Sequence, residues 1–210
     1  MIVCEHEQGT PGWHNDRSGI FTASMFGDLL TSKGEPCSKA KVDTAINLVL
    51  SSWLVSGEIA SFQSYWMKRG TELEPEARET YEFETGSKVK EVGFCLDDSR
   101  AFGASPDGII EDTGLVEIKC PAPNTMVSYY LSDKAPSQYY SQMQGQLMVT
   151  DMMWCDFFAY CPDMPSFLRR VPRDDIFITK LKQQLVVCID ELLKRKNILI
   201  ERGYKPLEAA

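Results

Sequence analysis

Three residues carry the most specific chemistry in the chain: Asp107, Glu117 and Lys119. In the run Leu115-Val116-Glu117-Ile118-Lys119-Cys120, an extended backbone alternates its side chains. Glu117 and Lys119 then share one face with Leu115, while Val116, Ile118 and Cys120 take the other. Two residues along a strand span roughly 6.6 Å, which lets a carboxylate and an ammonium serve one small volume. Asp107 sits earlier, in the turn Ser105-Pro106-Asp107-Gly108, and pairing of the strands on either side brings it alongside Glu117. Two hard oxygen donors and a lysine suit metal-assisted phosphodiester hydrolysis. The carboxylates hold Mg²⁺, the backbone carbonyl of Ile118 is placed to add a ligand, and Lys119 orients a water or offsets transition-state charge. Singly the pieces are commonplace, since Ser-Pro-Asp-Gly is most often a plain turn and Glu-x-Lys a solvated pair. Their joint spacing carries the reading.

The elements that must position these residues follow from periodicity. Ala40, Ala45, Leu48 and Val49 predict a buried helix face within residues 38 to 54, and a second helix covers Trp66 to Thr85. Pro75 either kinks that helix or starts it afresh. From Lys88 the period becomes two, with Lys90, Val92, Phe94 and Leu96 on one strand face. Short strands at Phe102 to Ser105 and Ile109 to Glu111 flank the acidic turn. Thr125 to Leu131 and Ser137 to Thr150 read as helices, Trp154 to Tyr160 as a buried strand paired with Phe167 to Val171, and Asp175 to Arg202 as a long amphipathic helix. Strands in the middle with helices on either side indicate a mixed α/β domain.

The 210 residues carry 22 Lys plus Arg against 30 Asp plus Glu, a net charge of −8, which excludes a protein that simply coats nucleic acid. The sum hides an asymmetry. Residues 168 to 205 are net +5, a candidate surface for DNA or another subunit with a plain solvated helix as the equal alternative, and acid is densest around residues 72 to 91, mostly as a solvated helix face. No apolar window approaches the roughly 18 to 20 residues of a membrane span, and the N-terminus has no secretion signal, so a soluble cytoplasmic protein is expected. The seven cysteines include no Cys-x-x-Cys pair, which suits a reducing compartment. Cys4 and His6 lack a second pair with which to bind zinc.

Six segments in register extend the pattern: Gly12-Trp13-His14 with Arg17; Ile20 to Ser24; Arg69-Gly70 with Glu74 and Ala77; Ser105 to Gly108; Glu117 to Pro121; and Gln142-Met143-Gln144. Over residues 12 to about 160 the chain thereby resembles the PD-(D/E)xK nuclease superfamily, and within it the bacteriophage lambda exonuclease and YqaJ-like viral recombinase family. The resemblance implies a restriction-endonuclease-like α/β core with a central mixed sheet flanked by helices, as one nuclease domain over 1–210. Its parts are N-terminal helices and a phosphate pocket (1–86), a catalytic sheet and helices (87–171) and a C-terminal helix (172–210). It implies Asp107, Glu117 and Glu74 as metal ligands and Lys119 as the catalytic lysine, although an ion pair of Glu74 with Arg78 one turn on is a competing account. Arg17 and Ser24, completed by Ser105 and Gln142, resemble a pocket for the 5′ phosphate of the degraded strand. Gln144 is second choice to Gln142, which shares a helix face with Tyr139, and Lys33 is the nearest match to a further basic residue. Trp66 or Met67 could wedge the terminal base pair, with a core role the commoner; Trp13 and His14 read as packing residues.

The implied activity is a Mg²⁺-dependent exonuclease, with two ions and Mn²⁺ able to substitute. It would degrade one strand of linear double-stranded DNA from the 5′ end to mononucleotides, leaving a 3′ tail for recombination. A ring-shaped homotrimer, a single-strand annealing partner and a phage or prophage origin in a bacterial host are implied with it. The rival readings are a structure-specific endonuclease of the same fold and a non-enzymatic acidic DNA mimic.

Overall fold

The computed structural model describes residues 1–56 and 65–206, Met67 by its backbone alone, as a mixed α/β fold of two sheets flanked by helices. In chain order the elements are β1 (Ile2–Val3), α1 (Pro11–Asp16), β2 (Phe21–Thr22), a 3₁₀ helix (Ala23–Asp28), α2 (Lys39–Val55) and α3 (Tyr65–Thr85). Then come β3 (Val89–Lys90), β4 (Cys95–Leu96), β5 (Phe102–Ala104), β6 (Gly108–Ile110) and β7 (Gly114–Lys119). The chain finishes with α4 (Pro123–Ser132), a 3₁₀ turn (Ser137–Tyr139), α5 (Tyr140–Thr150), β8 (Trp154–Ala159), β9 (Phe167–Pro172) and α6 (Asp175–Glu201). Among the described residues no helix is long and apolar enough to cross a membrane.

The larger sheet has the order β3-β6-β7-β8-β9, and only the β7–β8 pair is parallel. A parallel neighbour needs a crossover, and α4 and α5 supply it, which lays α5 over the face of β7 that carries Leu115 and Glu117. Leu115 and Phe157 pack there with Met126, Met143 and Leu147. Val116, Ile118 and Phe158 take the opposite face, against Ala77 and Tyr81 of α3. Covering both faces explains why this strand reads as a nearly continuous apolar run. It also forces Glu117 out of water.

The smaller sheet has the order β1-β4-β5-β2 and packs with α2, α6 and the 3₁₀ helix. Residues 88 to 96 therefore do not form one strand as their period suggests: β3 belongs to the larger sheet and β4 to the smaller. The break falls where a Cβ on Gly93 would stand 2.5 Å from the His6 carbonyl oxygen, so N-terminal backbone occupies the space a side chain needs. The chain passes directly between the sheets again at Ser105 to Asp107. The Gln8 amide donates to one carbonyl at each crossing, Val92 at 2.8 Å and Pro106 at 2.9 Å.

Other expectations shift in detail. Helix α3 runs unbroken through Pro75 and does not start afresh there. On α2 the buried face is Ala45, Ile46, Val49 and Leu50, whereas Ala40 and Leu48 are exposed. Of the basic residues after 168, Arg169, Arg170, Arg173 and Arg195 are held by Asp133, Asp156, Asp175 and Glu191, so much of that positive charge ties the fold together.

Candidate active site

Strand pairing delivers the acidic cluster. Gly108 of β6 lies opposite Val116 of β7, so Asp107 falls beside Glu117, and Asp107 Oδ2 accepts a hydrogen bond from the Ile118 amide at 2.6 Å. Glu117 is fully buried, a position that costs a lone carboxylate on the order of several kcal/mol. Three donors offset the cost: Lys119 pairs with Oε1, Gln142 Nε2 donates to Oε1 at 2.6 Å, and Gln146 Nε2 donates to Oε2 at 2.6 Å. Glu74 approaches from α3, its carboxylate paired with Arg78 at 3.0 Å, so the intrahelical ion pair exists and Glu74 still reaches the cluster.

Crowding shows in the electrostatics. Burial, then the neighbouring Glu117 and Glu74, push the Asp107 carboxyl well above its ordinary range, with Lys119 and the Ile118 amide opposing. Burial likewise raises Glu74 against the pull of Arg78 and Lys119. For Lys119 burial works toward the neutral amine, but Glu117 and Asp107 outweigh it and the ammonium is held more firmly than usual. Each carboxylate already has a protein partner, and among the described residues no three acidic, His or Cys side chains are drawn into a ready metal-holding group. The donor chemistry nonetheless suits a hard divalent cation: the carboxylates of Asp107, Glu117 and Glu74 lie near enough to feel one another's charge, Lys119 offsets it, and Arg78 offsets Glu74.

A cavity of about 160 Å³ opens beside the cluster, lined by Gln8, Trp13, Arg17, Thr22, Ala23, Ser24, Ser105, Gln142 and Gln146. Short α1 builds one wall. Thr10 caps it, Pro11 fits its first turn, and Trp13 and Arg17 fall one turn apart. The guanidinium of Arg17 lies 3.8 Å from the centre of the Trp13 ring, and Trp13 Nε1 donates to Ser105 Oγ at 3.0 Å. Burial alone lowers the Arg17 pKa to about 10. No carboxylate pairs with it among the described residues, which leaves a half-buried cation facing a polar cavity. The opposite wall is α5, which approaches the 3₁₀ helix bearing Ser24 closely because residue 145 is glycine; a Cβ there would stand 2.3 Å from the Phe26 ring.

On the other side of the cluster a cavity of about 470 Å³ is lined by Trp66, Gly70, Thr71, Glu74, Ile118, Lys119, Cys120, Pro121 and Tyr139. The carboxylates and Lys119 thus stand between a small cationic pocket and a larger one with an aromatic wall.

The YqaJ-like viral recombinase domain model matches residues 12–153. The chain belongs to that family. An alkaline exonuclease from Laribacter hongkongensis is 34% identical, with a TM-score of 0.84 over 92% of this chain and 98% of that one. The same exonuclease in complex with dAMP aligns equally well. A phage related exonuclease from Haemophilus somnus 129PT, 16% identical, shares the fold at a TM-score of 0.62 over 84% of this chain and 96% of its own. No curated protein matches. The restriction-endonuclease-like α/β fold and the family read from the sequence are both borne out.

Within this YqaJ-like chain, Asp107, Glu117, Lys119 and Glu74 are brought together, as are Arg17, Ser24, Ser105 and Gln142 around the small cavity. Tyr139 borders the larger cavity, its ring 5.4 Å from Lys119 Nζ. Gln144 points elsewhere, donating to the Pro172 carbonyl and accepting from the Asp174 amide. Lys33 is exposed on the turn after Leu30 and lines neither cavity. The side chain of Met67 lies outside the described residues. Trp66 is 48% exposed beside the larger cavity, so it is not the core residue it was expected to be. Trp13 is more than packing, because it carries Arg17 and fixes Ser105.

Gln146 and Gln8 were missed. Gln146 had a usable signal, since it follows Gln142 by one helical turn on the same face. Gln8 had none, because its partners lie more than eighty residues away.

Proposed function

We propose that the protein is a Mg²⁺-dependent exonuclease that degrades one strand of linear duplex DNA from its 5′ end, releases mononucleotides and leaves a 3′ single strand for recombination. The observation that carries this reading is the adjacency of the acidic cluster and the small cavity lined by Arg17, which has no acidic partner among the described residues. An arginine lining such a cavity suits a phosphate group. A phosphate seated there places the first phosphodiester over Asp107, Glu117 and Lys119, so cleavage is counted from an end.

Asp107, Glu117, Glu74 and the Ile118 carbonyl would hold the ion, and Mn²⁺ would fit the same oxygen donors. A bound divalent cation supplies Lewis acidity at the phosphoryl oxygen and acidifies a water. Lys119 keeps its proton, and so acts by orienting the nucleophile and stabilising negative charge. Arg17, Ser24 and Ser105 donate to the terminal phosphate, with Gln142 between that phosphate and Glu117. Tyr139 and Trp66 offer flat apolar surface to the bases near the end. The family further supports a ring-shaped homotrimer and a single-strand annealing partner, for which the mass in solution is the first check.

Digestion of 5′-phosphorylated linear duplex, beside the same DNA covalently closed, tests the reading. Release of nucleotides from the linear form alone, requiring Mg²⁺ and abolished by Asp107→Ala, is expected. Cutting of the closed circle would favour a structure-specific endonuclease, and release unchanged by Asp107→Ala would reject the site.

A further inference from the structure

The small cavity and the acidic cluster share a wall, and Gln146 stands in it, bonded to Glu117 on one side and lining the cavity on the other. Gln146 is fully buried on α5. One end of its amide donates to Glu117 Oε2 at 2.6 Å. The other end, Oε1, is buried and has no hydrogen-bond partner among the described residues, although the side chain lines the small cavity. A buried acceptor left empty is costly, so a side chain placed this way calls for a donor from whatever occupies the cavity. Gln142, one turn earlier, takes the other oxygen of Glu117. The two amides therefore hold one oxygen of the carboxylate each, with Lys119 also on Oε1.

We propose that Gln146 is a positioning residue that orients Glu117 for a divalent cation and links that orientation to what fills the small cavity. An anionic phosphate offers only acceptors, so the donor to Gln146 Oε1 is a water held between the amide and the phosphate. When the cavity fills, that water fixes the amide plane, and the amide fixes Glu117. The inference deepens the functional reading and rests on it for the identity of the cavity's occupant.

Gln146→Glu keeps the shape of the side chain but replaces the donor to Glu117 with a carboxyl; Gln146→Met keeps the bulk and removes all polarity. Thermal melting first establishes that at least one variant folds. Mn²⁺ binding to the DNA-free protein, followed by the paramagnetic signal of free Mn²⁺, is expected to weaken about 10-fold or more, as loss of a ligand's hydrogen-bond partner does. The preference for 5′-phosphorylated over 5′-hydroxyl duplex, as a ratio of degradation rates, is expected to shrink in the same variant. A folded variant that leaves either quantity unchanged overturns the proposal, because a purely structural glutamine would move neither. If the unaltered protein releases no nucleotide or ignores the 5′ phosphate, the functional reading fails instead, and the Mn²⁺ titration shows this separately.

Discussion

The backbone amide of Ile118 donates to Asp107 Oδ2 at 2.6 Å, tying the acidic turn to the strand whose next and previous residues are Lys119 and Glu117. The bond sets the turn's position by the strand. It also occupies one oxygen of a carboxyl that burial and two neighbouring carboxylates push toward its protonated form.

Asp107→Asn removes a charge from that crowd while an amide oxygen can still accept from Ile118. Because the folded-state pKa is raised, ionisation above it weakens the native state, and the loss grows with pH. The metal-free variant is expected to melt higher than the unaltered protein at pH 8 and to lose at least about 100-fold in nuclease rate, a loss typical of a group that acts on the transition state. Calorimetry and a nuclease assay on one preparation read both. A lower melting temperature would show that the carboxylate is not strained.

Arg17→Ala should leave folding intact and weaken use of 5′-phosphorylated ends. Losing a charged hydrogen bond to phosphate costs about 1.5–3 kcal/mol, roughly 10- to 150-fold in kcat/KM. Ends bearing a 5′ hydroxyl should change little, so the ratio of the two substrates is the measurement.

Asp156 is buried at 2% exposure and accepts from Tyr81 of α3 at 2.9 Å and from Arg170 of β9 through two nitrogens. It holds α3, and hence Glu74, to the sheet. Asp156→Ala strands the Tyr81 hydroxyl in the core and should cost about 3 kcal/mol in urea unfolding. A loss under 1 kcal/mol would mean that packing alone seats α3.

Asp174 caps α6, accepting from the Phe177 amide at 2.9 Å and from the Tyr140 hydroxyl at 2.9 Å. The Phe177 amide leads in holding its pKa below the ordinary carboxylate range. Its contribution is therefore present above that range and lost as pH falls through the lowered folded value. Asp174→Ala should cost about 1 kcal/mol at neutral pH, a loss that shrinks on acidification, measured by denaturant titration across pH.

The acidic turn, the Glu-x-Lys strand and the long final helix were legible because each rests on local spacing. Asp107, Glu117 and Lys119 converge through one hairpin, and the order of segments around them carried the family. What hid was set by distant partners. The break between β3 and β4 follows from N-terminal backbone against Gly93, the exposure of Trp66 from the cavity beside it, and the place of Gln8 from two carbonyls across the sheets. The basic stretch near the C-terminus was hard to read for a similar reason, since the acids that pair with Arg170 and Arg195 include Asp156 and Asp43, outside that stretch. Gln146 was within reach of helical spacing, but nothing local showed that its face would meet Glu117.

The most direct test of the central claim is a linear duplex with one strand labelled at its 5′ phosphate and an identical duplex labelled at the 3′ end, followed over time in Mg²⁺. Early release of the 5′ label as a mononucleotide, with the 3′ label retained in long products until late, is the expected result. Early release of the 3′ label, or of internal fragments from both substrates, would contradict it.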